Sequence, residues 1–402
     1  MNNATAAAVG RMLAAVPLWT QVGTAGDLLG LDRTTLLHAG PPFADPAGIC
    51  PPVLNAAAAA LLFEGLADGV EDARAMVRNG AVALRPAQDL GVVTPLATVV
   101  SRSMWLHGVE DAAGSGTRAY SPLNEGGGPA LRFGIVSPAV LERLRFLHGT
   151  VGPALQGVGT VELFDLARAA MERGDELHGR VGVASALLAD RLIARLGEAG
   201  AVSDFLRSAG QFFLNPWMAV CKLMMLAADG VPGATLVTAA GGNGVRFGLR
   251  LSGMAGGWAS APVEAPQGPD AGRQDTGGLP RLRLPAIGDS AVIDAVGFGA
   301  LALDTAPQLR VDLGSIADAL PADLGARLLV GEHPVLRRRV GLDADAVLRT
   351  GLLPPVCLAA LDAAGEDGIV GRGIARHPPA CHADAIAALS GSGPVEALHT
   401  SA

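Results

Sequence analysis

The apolar period of this 402-residue chain switches between strand-like and helical more than once, and that alternation limits the folds open to it more than any single motif. Early runs such as AVALR (81–85), GVVTPLATVV (91–100) and MWLHGV (104–109) are β-branched or alternating, the pattern of strands. They follow a predicted short helix and loop-rich stretch over residues 1–50, ending in LLHAGPP (36–42). Two helices come next, at about 53–67 with Asn55 as cap and at about 71–78, stopped by Asn79-Gly80. The middle is helical, at about 138–148, 161–172, 176–197 and 216–229. Ser137-Pro138 and Asn215-Pro216 open the first and last of these, because Pro at the first helical position lacks only an N–H that had no partner.

The period then returns to two. ATLVTAA (234–240) and VRFGLRLSG (245–253), joined through GGNG, predict a hairpin, since Asn-Gly tolerates the positive φ of a tight turn. Residues 261–285 read as a long surface loop, 288–303 as a glycine-bearing helix opened by Asp289 or Ser290, and the terminal GSGPVEALHTSA as a frayed tail. The expected fold class is α+β (mixed α/β) and multi-domain, with a helical middle and sheet-containing domains on either side. The expected division is an N-terminal α/β domain over 1–135, a helical domain over 136–230, a C-terminal α+β domain over 231–390 and a tail over 391–402.

Composition narrows the function. A chain that is 50% hydrophobic and 17% charged is not globally disordered, and at this length it needs no metal or disulfide to hold a core. A net charge of −8 argues against a nucleic-acid partner, which calls for a basic surplus. Cys50, Cys221, Cys357 and Cys381 are scattered without CxxC spacing, which points to a reducing, cytoplasmic setting and away from a zinc knuckle. The first residues lack a basic segment and are too broken to span a bilayer, so no membrane association is expected. Lysine occurs once, at Lys222, so any amine chemistry must come from that side chain.

Four segments gather chemistry-bearing residues. In VRFGLRLSG, Arg246, Gly248, Arg250 and Ser252 share one face. The two guanidiniums stand roughly 13 Å apart along a strand, so each would hold a separate anion, or the face is simply solvated. RAYSPLNEGGG (118–128) offers Arg118, Asn124 and Glu125 on a glycine-terminated loop, or is an ordinary turn. GDELHGR (174–180) places Asp175 as a cap, pairs Glu176 with Arg180, and sets His178 where a helix N-terminus favours the neutral imidazole. It is thus either an acid–base site or a capped helix with an exposed histidine. Lys222, in the almost wholly apolar NPWMAVCKLMMLAA, either snorkels outward or points into a site. GGNG matches neither a P-loop nor GxGxxG.

The ordered set LFEGLA (62–67), RAYSPLNEG (118–126), LRFG (131–134), GDELHGR, FFLNPWMAVCK (212–222), LVTAAGGNGVRFGLRLSG (236–253), APVEAPQG (261–268) and GDSAVIDAVGFGA (288–300) resembles the YlbE-like family. Its members include the large subunit of a multi-subunit oxamate carbamoyltransferase. The resemblance implies a carbamoyltransferase-like enzyme, or its large subunit, acting on a small amide or ureido substrate, with carbamoyl phosphate as co-substrate and no resident cofactor or metal. It implies companion subunits or a homo-oligomer. Carried over residue by residue, it marks His178, Glu176 and Lys222 as catalytic. It marks Arg118, Asn124, Glu125, Asn215, Asn243, Arg250, Ser252, Asp289 and Ser290 as substrate-binding. In this scheme an Arg holds a carboxylate or phosphate, amides orient the acyl oxygen, and His178 with Glu176 moves the proton.

Two departures qualify the resemblance. RPAQDLGVVTP (85–95) has Gln88 and Asp89 where the family carries a histidine-bearing stretch, and CLAALDAA (357–364) replaces a segment bearing Asn, His and Lys. These losses imply an altered substrate or reaction. An amide or lactam hydrolase, a ring-forming enzyme of specialised metabolism and a non-catalytic subunit are therefore the alternative readings.

Overall fold

The computed structural model describes residues 1–123, 128–269 and 282–391. The protein is a mixed α+β, multi-domain chain, 42% helix and 22% strand, with its strands divided among several small sheets. One four-stranded antiparallel sheet runs in the order Arg118–Pro122, Trp105–Asp111, Pro17–Thr24, Val161–Glu162. A second runs Ile287–Gly288, Val237–Asn243, Arg246–Leu251, Ala259–Pro262. Two-stranded pairs join Leu329–His333 to Arg338–Leu342, Pro355–Leu361 to Ile369–Arg376, and, in parallel, Thr35–His38 to Ala83–Pro86.

The helix Leu214–Ala227 binds these parts together. Every residue from Asn215 to Met225 is buried, as an apolar helix without a polar face must be. It packs on the first sheet through Trp105–Asp111 and Arg118–Pro122, and also meets the helix Asn3–Ala14, the strand Val237–Asn243 and the helix Ala291–Val296. Its Trp217 stacks on Phe213 (5.7 Å) and meets the edges of Phe164 (6.3 Å) and Phe298 (5.0 Å). Such pairs add about 0.5–1.5 kcal/mol each beyond area burial. They fix the Phe298–Gly299 turn, whose Gly299 N–H bonds the Glu176 carbonyl (2.9 Å).

Local expectations were met where capping and period agree. Ser137 caps Pro138–Phe146 through the Val140 N–H (3.3 Å), and the hairpin turns at Gly244 with φ +83°. Elsewhere tertiary structure overrode them. The expected loop in residues 1–50 contains Pro17–Thr24, an inner strand of the first sheet. GVVTPLATVV is no strand; only isolated bridges form at its ends, Val92 to Tyr120 and Val100 to Leu37.

The helix expected over 176–197 begins at Gly182, and GDELHGR is a tight turn before it. The residue at its N-cap is Val181, not the expected Asp175, although the Asp175 carboxylate reaches over from the preceding turn to accept the Ala184 N–H at 2.9 Å. Asn55 is no cap but a buried member of Pro51–Phe63, donating to the carbonyls of Gly134 (2.9 Å) and Gly365 (3.0 Å). The helix expected over 288–303 spans only Ala291–Val296. The described parts of 261–285 are pinned rather than loose: Gln267 and Ile374 exchange backbone bonds of 2.9 and 2.7 Å, and Leu284 donates to Leu361. Residues 270–281 of that stretch, and 392–402 of the expected tail, lie outside the described residues.

Candidate functional site

A cavity of about 420 Å³ opens where eight separate stretches of chain meet. His178 and Gly179 reach it from the GDELHGR turn, Arg132 and Phe133 from the turn Leu131–Phe133, Ser290 from the start of the short helix, and Cys357 to Ala359 from the strand Pro355–Leu361. Ile369 and Arg372, both exposed, stand at its rim. Leu96, Leu214, Leu309 and Leu313 supply apolar wall.

His178 is 6% exposed, and its Nδ1 lies 2.5 Å from Oδ2 of Asp294. Asp294 is held in turn by the N–H groups of Ala300 (2.7 Å) and Cys357 (3.2 Å) on its Oδ1. Burial works against the imidazolium, but the charge and hydrogen bond of Asp294, with Glu176 adding to them, hold His178 above the ordinary histidine value. With Nδ1 committed to Asp294, Nε2 is the nitrogen left to a ligand. An imidazole oriented by a buried carboxylate can take a proton from a bound group and return it.

The turn that carries His178 is strained. Leu177 has φ +71° and Leu96, in the cavity wall, φ +47°, two of the three non-glycine residues with positive φ among the described residues. Such backbone costs on the order of 1–3 kcal/mol per residue and persists where surrounding contacts over-determine it. Here Glu176 supplies that constraint, its carboxylate accepting the N–H groups of Gly179 and of Arg180 (2.7 Å).

This arrangement corrects three sequence expectations. The carboxylate against His178 is Asp294, not Glu176. Glu176 meets the Arg180 backbone N–H, and its own acidity is weakened by burial. His178 is pushed up by a carboxylate, not down by a helix end. The histidine is also not exposed.

Lys222 sits in a second buried cluster. Its Nζ donates to the Gln88 Oε1 (3.1 Å) and the Thr238 carbonyl (2.9 Å). Gln88 donates to Asp289 Oδ1 (2.6 Å) and the Ala240 carbonyl (2.9 Å). Asp289 also accepts from the Gly40 N–H (2.9 Å), the Thr94 N–H (3.0 Å) and the Thr94 hydroxyl (3.2 Å). Burial, with Arg250 nearby, lowers Lys222 to about 7, while burial raises Asp289 to about 6 against its several donors. A Cβ on Gly241 would lie 2.5 Å from Asp289 Oδ1, so GGNG lets the backbone approach a carboxylate rather than cradle a phosphate. Asp289 stands just before the helix Ala291–Val296 and Asp294 lies within it, so one short element serves both clusters.

The other nominated residues are distributed as follows. Ser290 lines the cavity. Arg250 pairs with Asp89 (3.2 Å) and stacks on Trp258 (4.9 Å), so its strand face is covered rather than solvated. Ser252 is wholly buried, donating to the Ala228 carbonyl (2.5 Å) and accepting the Val231 N–H (3.2 Å). Asn243 closes the hairpin, accepting from Val245 (3.0 Å) and Arg246 (2.8 Å) and donating to the Pro41 carbonyl (3.0 Å). Asn215 lies within the first turn of its helix and donates to Pro122 (2.5 Å), fastening the helix to the first sheet. Arg118 is on the outer sheet surface, bonded to Glu110 (2.6 Å). Asn124 and Glu125 lie outside the described residues.

Sequence reading did not single out Asp294, Arg132, Gln211 or Arg372, all at the cavity or its imidazole. Arg132 is 6% exposed and lies over the Phe133 ring at 4.8 Å. The one available signal was Asp294 itself, a lone carboxylate inside the apolar run AVIDAVGFGALAL. Cys357, also at the cavity, has its thiol pushed far up by burial and by Glu176 and Asp294, which makes it a poor nucleophile. Among the described residues no group of three or more His, Cys, Asp or Glu is placed to hold a metal ion.

A buried histidine–carboxylate pair thus stands on the wall of an apolar, arginine-bearing cavity. The model of the family "Oxamate carbamoyltransferase subunit AllG" matches residues 82–290. The chain is 33% identical to the oxamate carbamoyltransferase subunit AllG of Escherichia coli (strain K12), with 97% of each chain covered. It is 31% identical to the uncharacterized protein YahG of the same organism, over 89% of this chain and 79% of that one. The crystal structure of a conserved protein of unknown function from Enterococcus faecalis V583 superposes with a TM-score of 0.90 at 29% identity, covering 97% of this chain and 98% of that one. The chain belongs to the AllG family of oxamate carbamoyltransferase subunits. No helix among the described residues is long and apolar enough to cross a membrane.

Proposed function

We propose that this protein is a carbamoyltransferase-like enzyme, or the large subunit of one, that transfers a carbamoyl or related acyl group to a small nitrogenous acceptor in the His178 cavity. The observation that carries this reading is the His178–Asp294 pair on the cavity wall. In the proposed step the acceptor nitrogen attacks the carbamoyl carbon of carbamoyl phosphate. The new N–C bond forms as the C–O bond to phosphate breaks, phosphate leaves with the electron pair, and the proton from nitrogen passes to His178 Nε2. Asp294 steadies the imidazolium that results. A guanidinium at the cavity, Arg132 or Arg372, attracts the anionic donor or acceptor.

This reading revises the roles first assigned. Lys222 and Asp289 hold the scaffold around the site, and Glu176 shapes the turn that presents His178. The subunit name of the matched family supports action together with companion chains.

The test supplies carbamoyl phosphate with oxamate and other small amide and amine acceptors, using both the purified chain and the assembly purified with it from cells. Acceptor-dependent phosphate release that is lost in His178→Ala is the expected result. Release that is unchanged in His178→Ala, or absent in both preparations, overturns the reading.

A further inference from the structure

The cavity is a poor match for acceptors as small as oxamate. Its volume of about 420 Å³ falls among pockets that enclose much larger ligands, roughly 300–1,000 Å³. Leu96, Phe133, Leu309, Leu313 and Leu358 make much of the wall. Carbamoyl phosphate is polar and does not cover that wall, so beside it an acceptor of two carbons would leave much of the apolar surface against water, and a site gains affinity by covering such surface.

The polar groups also have a spacing. On the strand Pro355–Leu361 the Cys357 N–H bonds Asp294 (3.2 Å), which marks the His178 end. Two residues along, Ala359 pairs with Arg372 on the neighbouring strand. The interval between those positions is roughly 7 Å at the strand rise. That interval is between backbone positions, so a ligand with its nitrogen at His178 and an anionic group at Arg372 runs along this strand, past Leu358.

We infer that the acceptor is an amino- or amide-bearing carboxylic acid with an apolar body of several carbon atoms, its nitrogen at His178 and its carboxylate at Arg372. The inference rests on the acyl-transfer reading for what happens at the nitrogen, and on the cavity alone for the shape of the ligand.

Calorimetric titration of the purified chain with oxamate, glycine, β-alanine, γ-aminobutyrate and ε-aminocaproate tests it without any turnover. Affinity is expected to rise along the amino-acid series by about fourfold per methylene, the worth of one buried CH₂, with oxamate among the weakest. Arg372→Gln, whose melting temperature serves as the folding control, is expected to weaken ε-aminocaproate at least tenfold while sparing hexylamine, which has no carboxylate. Ala359→Leu, which shortens the space, is expected to move the optimum to a shorter homologue.

A flat series, a preference for oxamate, or a loss of carboxylate discrimination in Arg132→Gln rather than Arg372→Gln overturns the inference. Turnover separates its failure from that of the underlying reading. Carbamoylation of oxamate but of none of the longer acids sinks the inference and leaves the reading standing. Chain-length-dependent binding with no phosphate release from any acceptor does the reverse.

Discussion

At the scale of single residues, the site depends on Asp294. Its Oδ2 holds the His178 imidazole while two backbone N–H groups fix Oδ1, so the ring has one orientation and one free nitrogen. Asp294→Asn is expected to lower kcat about 10²–10⁴-fold, the span of acid–base contributions. It should also move the rising limb of the kcat/KM–pH profile downward, because burial then acts on His178 with no carboxylate to oppose it. In the parent protein that limb is expected above the ordinary histidine value of 6.5, since a general base must first lose its proton and His178 holds it longer. A profile that does not move when Asp294 is replaced would assign the limb to another group.

Lys222 has a different signature. Held at about 7, below its ordinary 10.5, it binds its proton more readily in the unfolded chain than in the folded one. The Lys222 contribution to stability should therefore rise with pH from about 7 to 10.5, so that the parent gains on Lys222→Met over that interval in urea titrations. The same change leaves Gln88 and Thr238 oxygens without their donor, at about 1–3 kcal/mol each.

At the scale of elements, sequence and structure part where a neighbour decides. Pro138–Phe146 was legible because Ser137, Pro138 and the apolar period agree within the segment itself. Pro17–Thr24 was not, since a bulge between Trp19 and Gln21 breaks its alternation and its partners lie more than about eighty residues away. GVVTPLATVV has the composition of a strand, but Pro95 and the left-handed Leu96 bend it, and its Thr94 is used by Asp289. Asn55 shows the same dependence: it looked like a cap, yet its amide fastens Pro51–Phe63 to Gly134 and Gly365, and its oxygen takes Arg74 at 2.5 Å. Asn55→Leu is expected to cost about 1–3 kcal/mol for each carbonyl left unpaired. Chemical denaturation would show it as a lower midpoint with unchanged slope.

Across the whole molecule, the family and the mixed α+β class could be read from ordered segments, three of which, GDELHGR, FFLNPWMAVCK and GDSAVIDAVGFGA, supply His178, Lys222, Asp289 and Asp294 to the two buried clusters. The His178–Asp294 pairing could not, since 116 positions separate the partners and no local pattern joins them. The buried histidines set a global property. His38, His107, His148, His333, His377 and His382 are all lowered from 6.5 by burial, to values of about 3 to 4 where they are defined, with His377 further depressed by its neighbour His382. Each stays neutral in the folded chain while the unfolded chain takes up protons, so its contribution is lost as pH falls below 6.5. Asp289, raised to about 6, works in the opposite direction, as do Asp175, Glu176 and Asp343, whose carboxyls burial also raises, but these are four groups against six. Thermal melting is expected to drop steeply between pH 6.5 and 4. A melting temperature that is level across that interval would mean the histidines are not buried as described.

The cavity draws on chain from Pro95 to Gly373, with stretches between them that have no pocket to line until the last one arrives. A polypeptide emerging from the ribosome therefore has no closed cavity until the strand Ile369–Arg376 is out. Premature release leaves fragments in which one wall of that hollow is missing.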